Sequence, residues 1–201
     1  MDSIVRILAG EWLIKMRVIS GLLKGKSIKF QKNQSTRPLK DAVKENIFNI
    51  LKHSNFINIK IDDSNILDLY SGFGSFGIEC ISRGAKQVTF IEQDISAAKI
   101  LKNNLTQLSI TKKTKILNNK IETILKNNSK EKFNIFFFDP PFKDKDFIKN
   151  LHFIKKNKMY KTKHIIIIHR EKNSKDDINN LINIIDSKQY GRSKIIFGLF
   201  N

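Results

Sequence analysis

The sequence predicts an α/β fold in which a mostly parallel sheet of seven strands carries helices on both faces. β-prone and helical segments alternate along residues 61–201, and repeated β–α units of this kind build a parallel sheet. The segments 133–138 and 164–169 are almost wholly apolar, as strands buried on both faces are. Two further β-prone runs flank residues 190–192 and predict a closing antiparallel hairpin.

The amino-terminal part of the chain does not share this alternation. Residues 1–15 are treated as an extension. Charged residues interrupt its apolar run and no small-residue cleavage site is evident, so we expect neither a signal peptide nor a membrane span there. Residues 16–30 predict a β-hairpin around a Gly-Lys turn. Apolar residues recur at helical spacing over 39–52. We therefore expect residues 16–60 to form a small hairpin and helix appendage before the main domain, 61–201.

The main domain is expected to contain five strands and four helices before its closing hairpin. The predicted strands span residues 65–70, 87–92, 114–118, 133–138 and 164–169. The predicted helices span residues 75–83, 95–107, 120–127 and 145–156. Ligands bind at the carboxyl ends of strands in sheets of this type, so the loops that follow the strands are the expected ligand sites.

The charge balance favours a polyanionic partner. The chain of 201 residues carries a net charge of +18, and nucleic acid is the usual partner of so basic a surface. Lys greatly outnumbers Arg, and Ile and Asn are also abundant. An A/T-rich coding sequence would produce the same pattern, so the charge supports a nucleic-acid interpretation without establishing it.

The single cysteine limits the chemistry that the chain can use. Cys80 alone can form neither an intramolecular disulfide nor a cysteine-based zinc cluster. It lies among apolar residues after a glycine-rich turn, which predicts a buried helix position. We expect a cytoplasmic, monomeric protein that uses no metal.

A glycine-rich turn follows the first strand of the main domain. Gly72, Gly74 and Gly77 form a G-x-G-x-x-G pattern that opens a helix, and Glu92 ends the next strand 20 residues after Gly72. Such glycines allow a ligand to approach the backbone, and the acid can accept hydrogen bonds from ribose hydroxyls. The pattern predicts an adenosine-containing cofactor, with a turn used only for packing as the alternative. Asp68 favours S-adenosylmethionine over a dinucleotide, because its carboxylate can lie near a cationic amino-acid group.

A second motif, Asp139-Pro140-Pro141-Phe142, follows the apolar strand 133–138. The Asp139 carboxylate and the Pro140 carbonyl are both acceptors, so together they can bind the two hydrogens of an exocyclic base amine. This contact draws the nitrogen lone pair out of the ring and prepares it to attack a methyl carbon. Phe142 offers a flat face on which the base can stack. The motif therefore predicts amino methylation of a nucleic-acid base.

The chain resembles the bacterial small-subunit ribosomal RNA guanine-N2 methyltransferases of the RsmD type. The resemblance spans roughly residues 16–200 and is carried by MRVISGLLKGKSIKF, TRPLKDAVKENIFNIL, ILDLYSGFGSFGIECISRGA, FIEQD and FFFDPPF. It implies a Rossmann-like class I methyltransferase fold. It also implies methyl transfer from S-adenosylmethionine to the N2 amine of a guanine in 16S-type RNA, with ribosomal RNA or a small-subunit particle as partner.

The resemblance also assigns residues to the site. The predicted cofactor contacts are Asp68, Ser71, Gly72, Gly74, Glu92 and Asn119, and the predicted catalytic residues are Asp139, Pro140, Pro141 and Phe142. The residues expected to face RNA are Lys24, Lys26, Arg37, Lys40 and Lys44. The chain departs from the family at Lys120, where an Asp or Asn usually meets the adenine amine. Either a neighbouring asparagine, Asn118 or Asn119, takes this role or the adenine contact comes from the backbone alone, and Asn119 is the residue assigned to it.

Other functions are compatible with parts of the sequence. A DNA adenine or cytosine amino methyltransferase would share the Asp-Pro-Pro-Phe motif, but no large target-recognition segment is evident. A nicotinamide-dependent oxidoreductase would use the glycine turn and leave that motif unexplained, and a noncatalytic RNA-binding module would leave both unexplained. His169-Arg170-Glu171 is interpreted as an ordinary polar strand end, with a place in the base pocket as the alternative.

Overall fold

The computed structural model describes residues 4–6, 12–31 and 39–201 of the chain. The strands are β1 (Ile4–Arg6), β2 (Trp12–Arg17), β3 (Ser27–Gln31), β4 (Asn65–Leu69), β5 (Gln87–Ile91), β6 (Thr114–Leu117), β7 (Phe133–Phe138), β8 (Tyr160–Glu171), β9 (Ile182–Tyr190) and β10 (Ser193–Phe200). The helices are α1 (Asp41–His53), α2 (Ser75–Ser82), α3 (Ile95–Gln107), α4 (Ile121–Asn127) and α5 (Phe147–Lys156). In these ranges, no helix combines the length and the apolar character needed to cross a membrane.

The main sheet has seven strands in the spatial order β6-β5-β4-β7-β8-β10-β9. The first five of these strands are mutually parallel, and the β9–β10 hairpin joins β8 in antiparallel orientation. This confirms the predicted sheet and its closing hairpin. The carboxyl ends of β4, β5 and β7 are adjacent, so the loops that follow these strands meet at one edge of the sheet.

Each central strand is buried on both faces, as its apolar sequence predicts. Ile135 and Phe137 of β7 belong to one hydrophobic cluster, and Phe136 and Phe138 belong to another on the opposite face. This alternation follows from the two-residue period of a strand. Cys80 is fully buried in the first cluster, as expected.

The amino-terminal hairpin and helix pack into the core of the main domain. β2 pairs with β3, and β2 begins at Trp12, inside the predicted extension. The ring of Phe48 in α1 stacks on Phe76 of α2 at 5.2 Å, and Phe76 stacks on Phe137 at 4.0 Å. The carboxylate of Glu79 in α2 also accepts hydrogen bonds from the backbone of the hairpin turn. The predicted appendage and the sheet therefore share one hydrophobic core.

In the main domain the predicted element boundaries agree with the structure within two residues except at β8, whereas β1 and the start of β2 lie in the predicted extension. The prediction of a strand over 164–169 covers only the apolar centre of β8, which spans Tyr160–Glu171. β8 pairs with β7 on one side and with β10 on the other. The backbone at its polar ends is therefore hydrogen-bonded in the sheet, which extends the strand beyond its apolar run.

Candidate active site

The turn after β4, residues 70–74, is here called the glycine loop. Its backbone is tied to the end of β5, because Ser71 Oγ donates to the Ile91 carbonyl oxygen at 3.0 Å and Gly72 N donates to Glu92 Oε2 at 2.7 Å. Gly72 and Gly74 have φ angles of +52° and +84°, which glycine adopts without steric cost. The loop is therefore held beside Glu92 before any ligand binds.

Glu92 is a buried carboxylate whose oxygens already accept backbone hydrogen bonds. Besides the bond from Gly72, its Oε1 accepts from Asp94 N at 2.8 Å. Burial raises the pKa of the Glu92 carboxyl, and these backbone donors oppose that rise. Each carboxylate oxygen has a second lone-pair direction, so Glu92 can still accept from ligand hydroxyls.

Asp68 lies in the interior beneath the glycine loop. Its Oδ2 accepts a hydrogen bond from Gly77 N at 3.0 Å. Burial raises the pKa of Asp68 well above its ordinary value; the Gly77 hydrogen bond opposes the rise, and the charges of Asp139 and Glu92 add to it. A bound cation would offset the cost of ionising this carboxyl.

The glycine loop, the start of α3 and the loop after β7 enclose a cavity of about 580 Å³. Its lining includes four acids, Asp68, Glu92, Asp94 and Asp139, and a single lysine, Lys143, within the described residues. An acidic cavity in a chain of net charge +18 is suited to a ligand that carries positive charge. The acids, which can accept hydrogen bonds, the glycine loop that lines the cavity and this negative charge together fit S-adenosylmethionine.

Gly74 has a role in packing. A Cβ atom at this position would lie 2.4 Å from Leu101 Cδ1 and 3.3 Å from Ile78 Cδ1. These atoms belong to the hydrophobic core, and Gly74 is not part of the cavity lining. The glycine is therefore required where the loop packs on the core, and a contact of Gly74 with the cofactor stays a prediction.

Asn119 also lies away from the cavity. Its side chain is exposed and accepts a hydrogen bond from the backbone of Lys120 at 2.7 Å. The lining in this region comes instead from Gln93, Asp94 and Ile121. The adenine contact predicted at Asn119 therefore does not fit its position, whereas Ser71 and Gly72 do line the cavity.

The loop of residues 139–142, here called the Asp-Pro-Pro-Phe loop, lines the cavity with all four of its residues. Asp139 is partly exposed, and its Oδ1 lies 2.7 Å from His169 Nδ1. The ring of Phe142 meets the ring of His169 edge-on, with centroids 5.7 Å apart. The loop therefore presents a carboxylate and an aromatic ring to the same space as Glu92 and Asp68.

The polar end of β8 supports this loop, so its interpretation as an ordinary strand end is wrong for two residues. His169 contacts Asp139 and lines the cavity. Arg170 is fully buried and donates to the carbonyl oxygens of Pro141 and Phe142 at 3.1 and 3.0 Å. Two polar residues directly after four consecutive Ile residues, at the same sheet edge as the Asp-Pro-Pro-Phe loop, are the sequence feature that could have indicated this role.

The residues predicted to face RNA have different environments. Lys24, Lys26 and Lys40 are exposed, and Arg37 lies outside the described residues. Lys44 is fully buried, with Nζ 3.1 Å from Ser75 Oγ and 3.3 Å from Asp41 Oδ1. The predicted RNA contact at Lys44 is therefore corrected, because its ammonium group is enclosed by the protein.

Residues 16–60, here called the amino-terminal segment, also contribute directly to the cavity. Met16, Ile28 and Leu39 form part of its apolar wall. No group of acidic, histidine or cysteine side chains in the described ranges could hold a metal ion.

Comparison with known proteins identifies related sequences. The profile of the family described as "Conserved hypothetical protein 95" matches residues 16–198. The chain is 33% identical over 192 residues to "Ribosomal RNA small subunit methyltransferase D" of Buchnera aphidicola subsp. Baizongia pistaciae, covering 94% of this chain and 92% of that protein. The protein of the same name from Haemophilus influenzae is 36% identical over 130 residues, covering 64% of each chain. That second alignment spans less than two thirds of the relative.

Solved structures show the same architecture. The chain is similar to yhhF from Escherichia coli, a candidate methyltransferase, with a TM-score of 0.75 and 25% identity over 93% of this chain and 98% of that one. It is also similar to the candidate methyltransferase SMU.776, solved with SAH, with a TM-score of 0.66 and 13% identity over 96% of this chain and 57% of that one. These likenesses confirm the α/β, Rossmann-like class I fold.

Proposed function

Because the chain belongs to the family described as conserved hypothetical protein 95, the RsmD family, we propose that it transfers a methyl group from S-adenosylmethionine to the N2 amine of a guanine in small-subunit ribosomal RNA. The observation that carries this proposal is the position of Asp139. Its carboxylate faces the same cavity as Glu92 and Asp68, so an amine acceptor lies beside a site suited to a cationic adenosine cofactor.

The cofactor assignment rests on the residues around the glycine loop. In this proposal Glu92 accepts from the ribose hydroxyls, and Asp68 accepts from the ammonium group of the amino-acid portion. Ser71 and Gly72 line the same cavity as these two acids. When bound, S-adenosylmethionine supplies an electrophilic methyl carbon on a positively charged sulfur.

Two acceptors in the Asp-Pro-Pro-Phe loop would bind the target amine. Asp139 Oδ1 is engaged by His169, which leaves Oδ2 for the substrate. Among the described residues no donor reaches the Pro140 carbonyl oxygen, whereas Arg170 donates to the carbonyl oxygens of Pro141 and Phe142. Oδ2 of Asp139 and the Pro140 oxygen can therefore accept the two amine hydrogens.

This contact changes the reactivity of the amine. Two acceptors in fixed positions orient the amine and rotate its lone pair away from the ring, toward the methyl carbon. As the amine nitrogen bonded to the methyl carbon and the bond from that carbon to sulfur broke, Asp139 Oδ2 would take one proton from the nitrogen. The carboxylate then releases the proton to solvent, and the second amine hydrogen stays on the product.

Ribosomal RNA as the substrate class is supported by the names of the relatives and by the charge of the chain. The Buchnera and Haemophilus relatives are named as small-subunit ribosomal RNA methyltransferases. Lys24, Lys26 and Lys40 are exposed on the amino-terminal segment, which also forms part of the cavity wall. Contacts from these lysines to phosphates would position the RNA while one base enters the cavity, where Phe142 is placed to stack on it.

The proposal is tested first by cofactor binding and then by methyl transfer. In calorimetry the purified protein should bind S-adenosylmethionine or its demethylated product, and NAD weakly or not at all. It should then transfer label from S-adenosylmethionine to small-subunit RNA or particles and leave duplex DNA unlabelled. Tight NAD binding without S-adenosylmethionine binding would refute the cofactor assignment, and labelling of DNA alone would favour a DNA amino methyltransferase.

A further inference from the structure

His169 is linked to both the proposed catalytic carboxylate and a hydroxyl group. Its Nδ1 lies 2.7 Å from Asp139 Oδ1, and its Nε2 lies 2.9 Å from Ser193 Oγ. Ser193 is the first residue of β10 and pairs with Glu171 of β8. The three side chains therefore form one hydrogen-bonded chain from the cavity to the closing hairpin.

The direction of these hydrogen bonds follows from the groups involved. An ionised carboxylate can only accept, so Nδ1 must carry the hydrogen that is donated to Asp139. In a neutral imidazole Nε2 is then an acceptor, and the Ser193 hydroxyl can donate to it. Ser193 therefore favours the tautomer that Asp139 requires.

We propose that His169, oriented by Ser193, is a positioning residue. It fixes the Asp139 carboxylate so that Oδ2 of Asp139 accepts the hydrogen bond from the substrate amine. This inference rests on the proposed function for its catalytic consequence. A donor on Oδ1 prevents the carboxylate from turning both oxygens away from the cavity. It also stabilises the negative charge that accepts the amine hydrogen.

The packing of His169 makes this orientation rigid. The side chain is 10% exposed, and its ring meets Phe142 edge-on at 5.7 Å between centroids. The imidazole is therefore held between the aromatic ring on which the base is expected to stack and the hydroxyl of the hairpin. A displacement of His169 would move both the acceptor and the stacking surface.

Two substitutions separate hydrogen bonding from packing. His169→Asn places an amide nitrogen close to the position of Nδ1 and retains a donor for Asp139, whereas His169→Leu has similar bulk and no donor. We expect His169→Leu to reduce kcat by about ten- to a hundredfold, with the KM for RNA and the affinity for S-adenosylmethionine within about threefold of wild type. His169→Asn should recover most of the lost kcat, and Ser193→Ala should lie between the two.

His164 provides a matched control on the same strand. It also makes two hydrogen bonds, to the Lys161 carbonyl oxygen and from Phe200 N, but it does not line the cavity. His164→Leu should lower thermal stability without a selective loss of kcat. Equal kcat losses in His169→Leu and His169→Asn, or a kcat within about threefold of wild type in His169→Leu, would overturn the proposal.

A second measurement tests the hydrogen-bonded chain without any enzyme activity. Nitrogen-15 NMR of the histidine side chains, recorded at mildly alkaline pH, should show His169 with its hydrogen on Nδ1. Ser193→Ala should shift the population toward the other tautomer, while a predominant hydrogen on Nε2 in wild type would overturn the proposal. If the wild-type protein transfers no methyl group, the proposed function fails and the tautomer measurement alone decides whether His169 orients Asp139.

Discussion

The buried guanidinium of Arg170 donates a hydrogen bond to the Pro141 carbonyl oxygen at 3.1 Å. The same group donates to the Phe142 carbonyl oxygen and forms an ion pair with the buried carboxylate of Asp176. One cation on β8 therefore fixes two carbonyl groups of the Asp-Pro-Pro-Phe loop. The Pro140 carbonyl oxygen accepts none of these bonds, so the support of the loop and its proposed binding of substrate use different oxygens.

Removal of the guanidinium should destabilise the fold and displace the loop. Arg170→Met leaves the Asp176 carboxylate without its buried partner, and breaking a buried pair in this way typically costs about 3–5 kcal/mol. Methyl transfer should fall strongly, because two loop carbonyls lose their donors. Denaturant unfolding and turnover measure the two effects.

Lys145 supplies the control for this prediction. It contacts the same carboxylate, with Nζ 2.8 Å from Asp176 Oδ1, but its side chain is 60% exposed. Solvent screens the exposed ammonium group, and Arg170 remains as the buried partner of Asp176, so Lys145→Met should cost less stability than Arg170→Met and change turnover little. Similar losses in Lys145→Met and Arg170→Met would show that the guanidinium has no special role in holding the loop.

Ionised Asp176 should stabilise the fold at neutral pH, so the free energy of unfolding should decrease as the solution becomes acidic. Burial alone would raise its pKa, but hydrogen bonds from Arg170 and Lys145 lower the pKa of Asp176 to about 2. A pKa below the unfolded value means that the ionised form stabilises the folded state. This contribution, about 2 kcal/mol, is complete above the unfolded pKa and is lost as pH falls toward 2.

The comparison of wild type with Asp176→Asn isolates this contribution. Asp68 and Glu92, whose pKa values are raised, have the opposite pH dependence but are present in both proteins. Urea unfolding from neutral pH down through the acidic range should show the stability difference shrinking as pH falls. A difference independent of pH would contradict the lowered pKa.

Gly74 should be intolerant of a side chain for reasons of packing. Gly74→Ala combines a φ of +84° with a Cβ placed 2.4 Å from Leu101 Cδ1, and overpacking a core typically costs about 1–3 kcal/mol beyond the backbone strain. Gly191→Ala has a φ of +57° and no atom within 4 Å of its new Cβ. Urea unfolding should therefore show a larger loss for Gly74→Ala, and equal losses would contradict the packing assignment.

Charge reversal should identify the RNA-binding surface. Lys24, Lys26 and Lys40 are exposed on the amino-terminal segment, so changing all three to Glu should weaken RNA binding and leave S-adenosylmethionine binding intact. The logarithm of the RNA association constant falls linearly with the logarithm of salt concentration. Each phosphate contact that is lost should make this slope shallower by about 0.7–0.9. Titration of RNA at two salt concentrations measures both effects.

A second triple variant controls for net charge alone. Lys86, Lys113 and Lys132 are exposed and lie directly before β5, β6 and β7, at the sheet edge opposite the cavity. Their change to Glu alters the net charge equally and should have a smaller effect on RNA binding. Equal affinities and salt slopes for the two triple variants would place the RNA contacts elsewhere.

The sequence predicts those parts of the molecule that depend on local pattern. The strand periodicity, the turn glycines and the Asp-Pro-Pro-Phe motif are short-range features, so the sheet, its edge and part of the cavity lining, including Asp68, Glu92 and residues 139–142, could be predicted from them. The position of Asp139 at the same sheet edge as Glu92 follows from the common direction of parallel strands. No tertiary contact has to be known for these predictions.

The remaining features depend on packing between distant segments. The charge of Lys44 predicts exposure, and its burial depends on α2, where Ser75 Oγ lies 3.1 Å from Lys44 Nζ. Asn119 could not be separated from its neighbours by pattern alone, because the chain departs from the family at that point. The partners of Arg170 come from loops that become its neighbours only in the folded chain.

The central claim is that Asp139 activates a guanine N2 amine in small-subunit ribosomal RNA. The most direct test incubates that RNA, or the corresponding particle, with S-adenosylmethionine and either wild-type protein or Asp139→Ala, and identifies methylated nucleosides by mass spectrometry. We predict N2-methylguanosine with wild type. In Asp139→Ala we predict a loss of about two to three orders of magnitude in rate, as expected when one preorganised polar group is removed, with cofactor affinity within a few-fold of wild type. A methyl group on another base, or near-normal turnover by Asp139→Ala, would contradict the account.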